Sequence, residues 1–321
     1  MDIGVYCEKF ALLKVNVSGG KASPHKICML LAVLDLARSG ALAENRIYYA
    51  PPLLERYARY FDAVRSPSDH RNPHFPYFHL RGQLRGRGAS FWHLHALPGR
   101  EAVLLVLKGA RSHADITDNV AFASLDDELF DLLGRAENIE QLGEALSSAW
   151  FDRGLSDLRA VVARSSEISR YERQLRAMPV LEVRAPAPPS YVRDPAFRRV
   201  VTQFYDFRCA ATGVRLVLPD GTSMVEAAHI HPFKEAQDDD PRNGLALTPN
   251  MHWAMDEHLI APGPDFRWHV SQTLDSRVPD YRMLLDLHER PLFLPVEPKM
   301  YPKREALEWR IERMRASRSA H

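Results

Sequence analysis

Three prolines fall within the six residues Ala185-Pro186-Ala187-Pro188-Pro189-Ser190. Proline fixes φ and carries no backbone N–H, so this stretch cannot continue a helix or a ladder and favours an extended spacer. A chain so interrupted folds as two units, and 321 residues give each of them enough length for its own core. Hydrophobic residues at 45% and charged ones at 26% exclude a fibrous or disordered chain. The resulting expectation is an α+β protein with a mixed N-terminal domain at 1–180, a Pro-rich linker at 181–195, a second domain at 196–300 and a basic helix at 301–321.

Composition narrows the setting. The only cysteines are Cys7, Cys28 and Cys209, an odd number at no metal-ligand spacing, which fits a reducing cytoplasm and offers no disulfide framework. The N-terminal apolar stretch lacks a basic leader, and no window approaches about 18 uninterrupted apolar residues, so no membrane contact is expected. With 42 Lys+Arg against 41 Asp+Glu, the net charge is +1, and any nucleic-acid role must rest on local patches.

In the N-terminal half, Ser23-Pro24 reads as a helix start, with Ser23 as the cap and Gly40 as the stop, and the leucine-rich run between them reads as a buried helix. Ile47-Tyr48-Tyr49 reads as a short strand and Pro51-Pro52 as the start of an amphipathic helix. Residues 66–88 show no helical period and read as a loop. Phe91-Trp92-His93-Leu94 and Val103-Leu104-Leu105-Val106-Leu107 read as strands, followed by helices near 126–133, 139–150 and 156–175.

Beyond the prolines, residues 197–207 have helical spacing. Leu216–Leu218 and Met224–Ala228 flank the turn signal Pro219-Asp220-Gly221 and predict a hairpin, then a long loop, then a helix opening at Thr248-Pro249. Three residues stand out in order along this stretch: His229 in Glu226-Ala227-Ala228-His229-Ile230-His231-Pro232, Asn243 in Asn243-Gly244-Leu245, and His252 in Met251-His252-Trp253-Ala254-Met255-Asp256. Phosphodiester hydrolysis needs a base for the attacking water and an electropositive centre for the developing charge. A neutral imidazole, which His229 can supply, suits the first task. His252 and Asp256, four apart on one helix face, can share a divalent ion, and the Asn243 amide can tie two backbone segments together. The acidic run Asp238-Asp239-Asp240 reads as a solvated face or a helix-start signal.

This segment, roughly 200–270, resembles the HNH or ββα-metal endonuclease family, in which a hairpin and a helix clasp one divalent ion. The resemblance implies that His229 is the general base, Asn243 the structural asparagine and His252 a metal ligand, with Mg or Mn the leading ion and Zn, Ni or Co as alternatives. Many relatives place an acidic or histidine ligand immediately before the base, where this chain has Ala228. The remaining ligand then comes from Asp256, Glu226, His231 or water. Cys209 is a single thiol, so a structural zinc site built on cysteine pairs is not expected.

Between 56 and 111, arginines including Arg71, Arg81, Arg85 and Arg87 alternate with Phe75, Tyr77, Phe78, Phe91 and Trp92. Basic side chains neutralise phosphates and aromatic ones line apolar pockets, which makes DNA a plausible ligand. The glycines of Arg85-Gly86-Arg87-Gly88 allow close backbone approach. Ser23-Pro24-His25-Lys26, His74-Phe75-Pro76-Tyr77-Phe78-His79-Leu80 and Phe91-Trp92-His93-Leu94 together resemble the sulfur-binding domain attached to HNH nucleases in phosphorothioate-dependent (type IV) restriction enzymes. The resemblance implies a shallow pocket at Phe75 and Pro76 for a backbone sulfur, with His25, Lys26 and Arg71 as phosphate or base contacts, while the guanidinium groups of Arg85 and Arg87, read from their own glycine-flanked stretch, act as forks for a groove or phosphate. Phe75 stands where that family's pattern has tyrosine.

The functional expectation is a phage-defence endonuclease that cuts double-stranded DNA near a modified backbone, with a homodimer as the simplest route to cutting both strands. The rival expectations are a DNA-binding regulator with a degenerate HNH module and a nuclease controlled by a small ligand or a protein partner.

Overall fold

The computed structural model describes residues 2–317, apart from 19, 68, 83, 86–87, 152–157 and 182–186. The chain divides into two compact units, Met1–Arg173 with Leu218–Thr222, and Gln174–Val217 with Ser223–His321. The fold is α+β, with helices and, among the described residues, four two-stranded antiparallel sheets.

In the N-terminal unit, Asp2 accepts a hydrogen bond from the Gly4 amide and starts α1 (Ile3–Ala11). The ribbon β1 (Val17–Ser18) with β2 (Lys21–Ala22) leads into α2 (His25–Arg38), in which every residue from Ile27 to Arg38 is buried. Such a helix must neutralise its polar members internally. Arg38 pairs with Asp35 at 2.5 Å, and the Tyr60 hydroxyl donates to the same carboxylate at 2.8 Å. Gly40, at φ +72, then turns the chain. There follow α3 (Pro51–Val64), α4 (His74–His79), β3 (Trp92–Ala96), α5 (Glu101–Val106), α6 (His113–Thr117), β4 (Val120–Leu125), α7 (Asp127–Leu132), α8 (Ala136–Phe151) and α9 (Leu158–Leu181). Helices α3 and α8 pack on α2, α1 packs on α8, and β3 pairs with β4 from Trp92 opposite Leu125 to Ala96 opposite Val120.

The second unit contains α10 (Ser190–Phe204), β5 (Glu226–His229), α11 (Phe233–Ala236), β6 (Gly244–Leu247), α12 (Pro249–Asp256), β7 (Ile260–Pro262), β8 (Trp268–Val270), α13 (Arg282–Leu285) and α14 (Arg304–Ser317). Strand β5 pairs with β6, Glu226 opposite Leu247 and His229 opposite Gly244, and both strands lie against α10 and α12. The β7–β8 ribbon packs on α14 through a small core of Ala261, Ile311 and Met314. Helix α9 runs to Leu181 and α10 begins at Ser190, so 187–189 are the described linker residues outside regular structure, and 182–186 lie outside the described residues.

Several local expectations are corrected. Helix α2 starts one residue late: Pro24 is its cap, and the Ser23 hydroxyl bonds the His25 ring instead. Ile47 makes one bridge, to Ala123, rather than opening a strand. The stretch 66–88 contains α4. Residues 103–107 lie in and just after α5 rather than in a strand. An apolar run does not by itself distinguish helix from strand, and here the turn at Gly99, φ +79, feeds a one-sided helix that buries Leu104 while Leu105 and Val106 face solvent. The turn at Gly221, φ +89, forms, and its flanks pair through the Val217–Ser223 bridge, the Leu218 amide to the Thr222 carbonyl at 2.8 Å and the Met224 amide to the Leu216 carbonyl at 3.1 Å, without becoming regular strands. The partner of β5 is β6, across the loop, and its apolar residues Leu245-Ala246-Leu247 carried no alternation to announce a strand.

Candidate active site

His229 closes β5, and its ring stacks face to face on Phe197 of α10, centroids 3.9 Å apart and planes within 1°. Its Nε2 lies 3.1 Å from Oδ1 of Asp239, which is almost fully buried. A carboxylate can only accept, so this contact places the ring proton on Nε2 and leaves the lone pair on Nδ1, which has no hydrogen-bond partner among the described residues. The second Asp239 oxygen faces Arg193 Nε at 3.8 Å. The acidic run is therefore not a solvated face. Asp239 orients the imidazole, Asp238 and Asp240 grip Lys303 at 2.9 and 3.0 Å, and Asp240 also caps the short turn Pro241–Asn243.

Asn243 is fully buried and uses both ends of its amide. Its Oδ1 accepts from the His231 amide at 2.9 Å, and its Nδ2 donates to the carbonyls of His231 at 2.9 Å and Asp238 at 3.0 Å. It thus ties the segment after His229 to the loop that carries Asp239. His231 itself stacks on Trp309 and approaches Glu235 at 3.9 Å.

On α12, His252 lies between two acids: Nδ1 is 3.1 Å from Glu226 Oε2 and Nε2 is 3.4 Å from Asp256 Oδ2. The donors have the chemistry a divalent ion requires, one imidazole and carboxylate oxygens. They engage opposite ring nitrogens, however, and the three do not bring one ligand atom each within 4.8 Å of one another. They fit an ion held by His252 with one acid at a time and completed by water.

Residues 209–261 match the family model described as HNH endonuclease. This segment is an HNH endonuclease domain. Among solved structures, one similar chain is a modification dependent TagI restriction endonuclease, at 20% identity and a TM-score of 0.30, with the match spanning 38% of either chain. No curated protein matches the chain.

The HNH domain is braced from outside its matched residues by Arg310 of α14, which is buried on a face with Ala306, Leu307, Ile311 and Met314. Its Nε donates to the Ile230 carbonyl at 2.6 Å, Nη2 to the His229 carbonyl at 3.0 Å and Nη1 to the Met255 carbonyl at 3.3 Å, with Asp256 Oδ1 at 3.9 Å. One guanidinium therefore joins the end of the strand carrying His229 to the end of the helix carrying His252. Burial, partly offset by Asp256 and Glu235, pulls its pKa down to about 10, still charged at neutral pH. The helix was legible as basic. The i, i+3, i+4 apolar stripe on which Arg310 falls was the signal that this arginine is internal.

In the N-terminal unit, His25, Lys26, Phe75 and Pro76 line one cleft of about 790 Å³, together with Lys14 and His79. The His25 ring is held by Ser23 Oγ at 2.8 Å and the His70 carbonyl at 3.1 Å, and burial lowers its pKa. Burial, then the neighbouring Lys14 charge, lowers that of Lys26. Arg71 lies outside this lining and pairs with Asp62 at 2.9 Å and Asp220 at 3.6 Å. Arg85 is exposed, its amide bonded to the Leu12 carbonyl, and Arg87 lies outside the described residues.

Proposed function

We propose that this chain is a modification-dependent DNA restriction endonuclease. Its N-terminal unit reads double-stranded DNA with a phosphorothioate backbone, and its HNH domain hydrolyses phosphodiester bonds nearby. The observation that carries the reading is the His229 imidazole, stacked on Phe197 and fixed by Asp239 with the Nδ1 lone pair free. That nitrogen takes the proton from an attacking water, and Asp239 steadies the imidazolium that results. Asn243 and Arg310 hold the base strand in register with α12. His252 with Asp256 or Glu226 would hold a divalent ion, Mg or Mn, which would supply positive charge for the crowded transition state and the leaving oxygen.

The N-terminal cleft supports the substrate side of the reading. Lys14 and Lys26 raise the local potential, so an anion entering the cleft relieves their mutual repulsion. Phe75, 40% exposed, and Pro76 add an apolar wall. Sulfur is poorly hydrated and gains from such contact where a phosphate oxygen would lose its water. Two copies acting on one duplex would cut both strands. The test compares wild type with His229→Ala on matched phosphorothioate and ordinary duplexes in Mg or Mn. Selective cutting of the modified duplex by wild type supports the reading. Equal cutting of both duplexes removes the sulfur assignment, and equal cutting by both proteins removes the catalytic one.

A further inference from the structure

Beyond residues 209–261, the second unit carries another group of ligand-bearing side chains. His269 on β8, His288 and Glu289 each bring one candidate ligand atom within 4.8 Å of the others, the sole such group of three among the described residues. Glu289 Oε1 lies 3.7 Å from His269 Nδ1 and 3.8 Å from His288 Nε2. Tetrahedral zinc with bonds of about 2.0–2.1 Å separates its ligands by about 3.4 Å, so both Glu289 distances lie close to the required spacing, and the two imidazole nitrogens, within 4.8 Å of each other, close onto the ion by side-chain adjustment.

The hydrogen bonding around His269 points the same way. Its Nε2 is 3.1 Å from Asp265 Oδ1, which places the proton on Nε2 and turns the Nδ1 lone pair towards Glu289. A carboxylate behind a histidine in this manner sets the tautomer and raises the basicity of a metal-binding imidazole. His288 requires one adjustment: ligation through Nε2 puts its proton on Nδ1, releasing a long 3.4 Å contact from the Val270 amide. His269 is mostly buried, whereas His288 and Glu289 are more than half exposed, so an ion can enter from solvent.

We propose that His269, His288 and Glu289 form a second divalent-metal site, with Asp265 orienting His269 and a water completing the shell. Two imidazoles and one carboxylate select zinc over magnesium or calcium, which prefer all-oxygen shells. The ion fastens the β7–β8 ribbon to the segment following α13. The site is independent of the nuclease reading, because it shares no ligand with Glu226, His252 or Asp256.

The experiment titrates the full-length His252→Ala protein, which lacks the imidazole of the first candidate site, with Zn²⁺ alone, reading stoichiometry by calorimetry and melting temperature by scanning. The proposal expects one bound equivalent and a rise in melting temperature, both lost in His252→Ala/His288→Ala, whose exposed second substitution leaves the fold intact by circular dichroism. Asp265→Asn should weaken zinc affinity by about 10- to 100-fold. Substituting Co²⁺ should give the intense visible bands of four-coordinate cobalt, absent in the His288 variant. Identical zinc stoichiometry with and without His288, or no melting shift in either protein, overturns the proposal.

Discussion

Asn243 shows what one buried side chain can fix. Replacing it by alanine strands two carbonyls and one amide around a fully buried side chain, and each orphaned group costs about 1–3 kcal/mol. Asn243→Ala should therefore lose about 3 kcal/mol or more in urea unfolding, and a loss below about 1 kcal/mol would show that the amide is not the tie described. Asp240 gives a prediction in pH. Burial alone would raise its pKa, but the Arg242 side-chain and backbone hydrogen bonds and Lys303 outweigh it and hold the carboxyl below its ordinary 3.8. A depressed folded-state pKa contributes stability above the unfolded value, and that contribution disappears as pH falls through 3.8 to the lower folded value. Asp240→Asn should flatten the acid limb of stability below pH 3.8, measured by urea midpoints, and an unchanged limb would contradict the assignment. At this scale the order and residue type of His229, Asn243 and His252 marked them as candidates, and the structure sets them on the paired strand β5, the loop before β6 and helix α12. Asp239 was not legible, because three successive acids carry no periodicity to say which one turns inward.

Elements set how closely those residues meet. A Cβ on Gly244 would lie 2.7 Å from Val201 Cγ2 and 2.8 Å from Phe197 Cζ, so β6 reaches α10 only because this position has no side chain. Phe197 is also the ring on which His229 stacks. Gly244→Ala should cost about 1–3 kcal/mol through overpacking and also slow cleavage by displacing the base. Stability lost with an unchanged rate per folded molecule would separate the two effects and contradict the coupling. Helices α2, α3, α8, α12 and α14 were readable from caps, prolines and apolar spacing. Strand β6 and helix α5 were not, since each is a short apolar run whose identity depends on the partner available: β5 for the first, and no pairing strand among the described residues for the second. The proline run announced an interruption, yet the compact units divide within α9, between Arg173 and Gln174. Local proline chemistry marks where a ladder cannot run and does not by itself mark where contacts thin out.

In the whole molecule, under the proposed function, recognition and hydrolysis belong to separate units, and they should fail separately. Lys26→Ala should weaken DNA binding and reduce the slope of log affinity against log salt by about 1, while leaving the melting temperature and the nuclease domain intact. An unchanged salt slope would remove the cleft from the DNA contact. No described helix is long and apolar enough to cross a membrane. The central claim is that the imidazole held between Phe197 and Asp239 is the base, and single-turnover cleavage of saturating phosphorothioate duplex in Mn²⁺ tests it most directly. His229→Ala should bind the duplex as wild type does and cut it about 10²- to 10⁴-fold more slowly. A variant that binds normally and cuts at the wild-type rate would contradict the account.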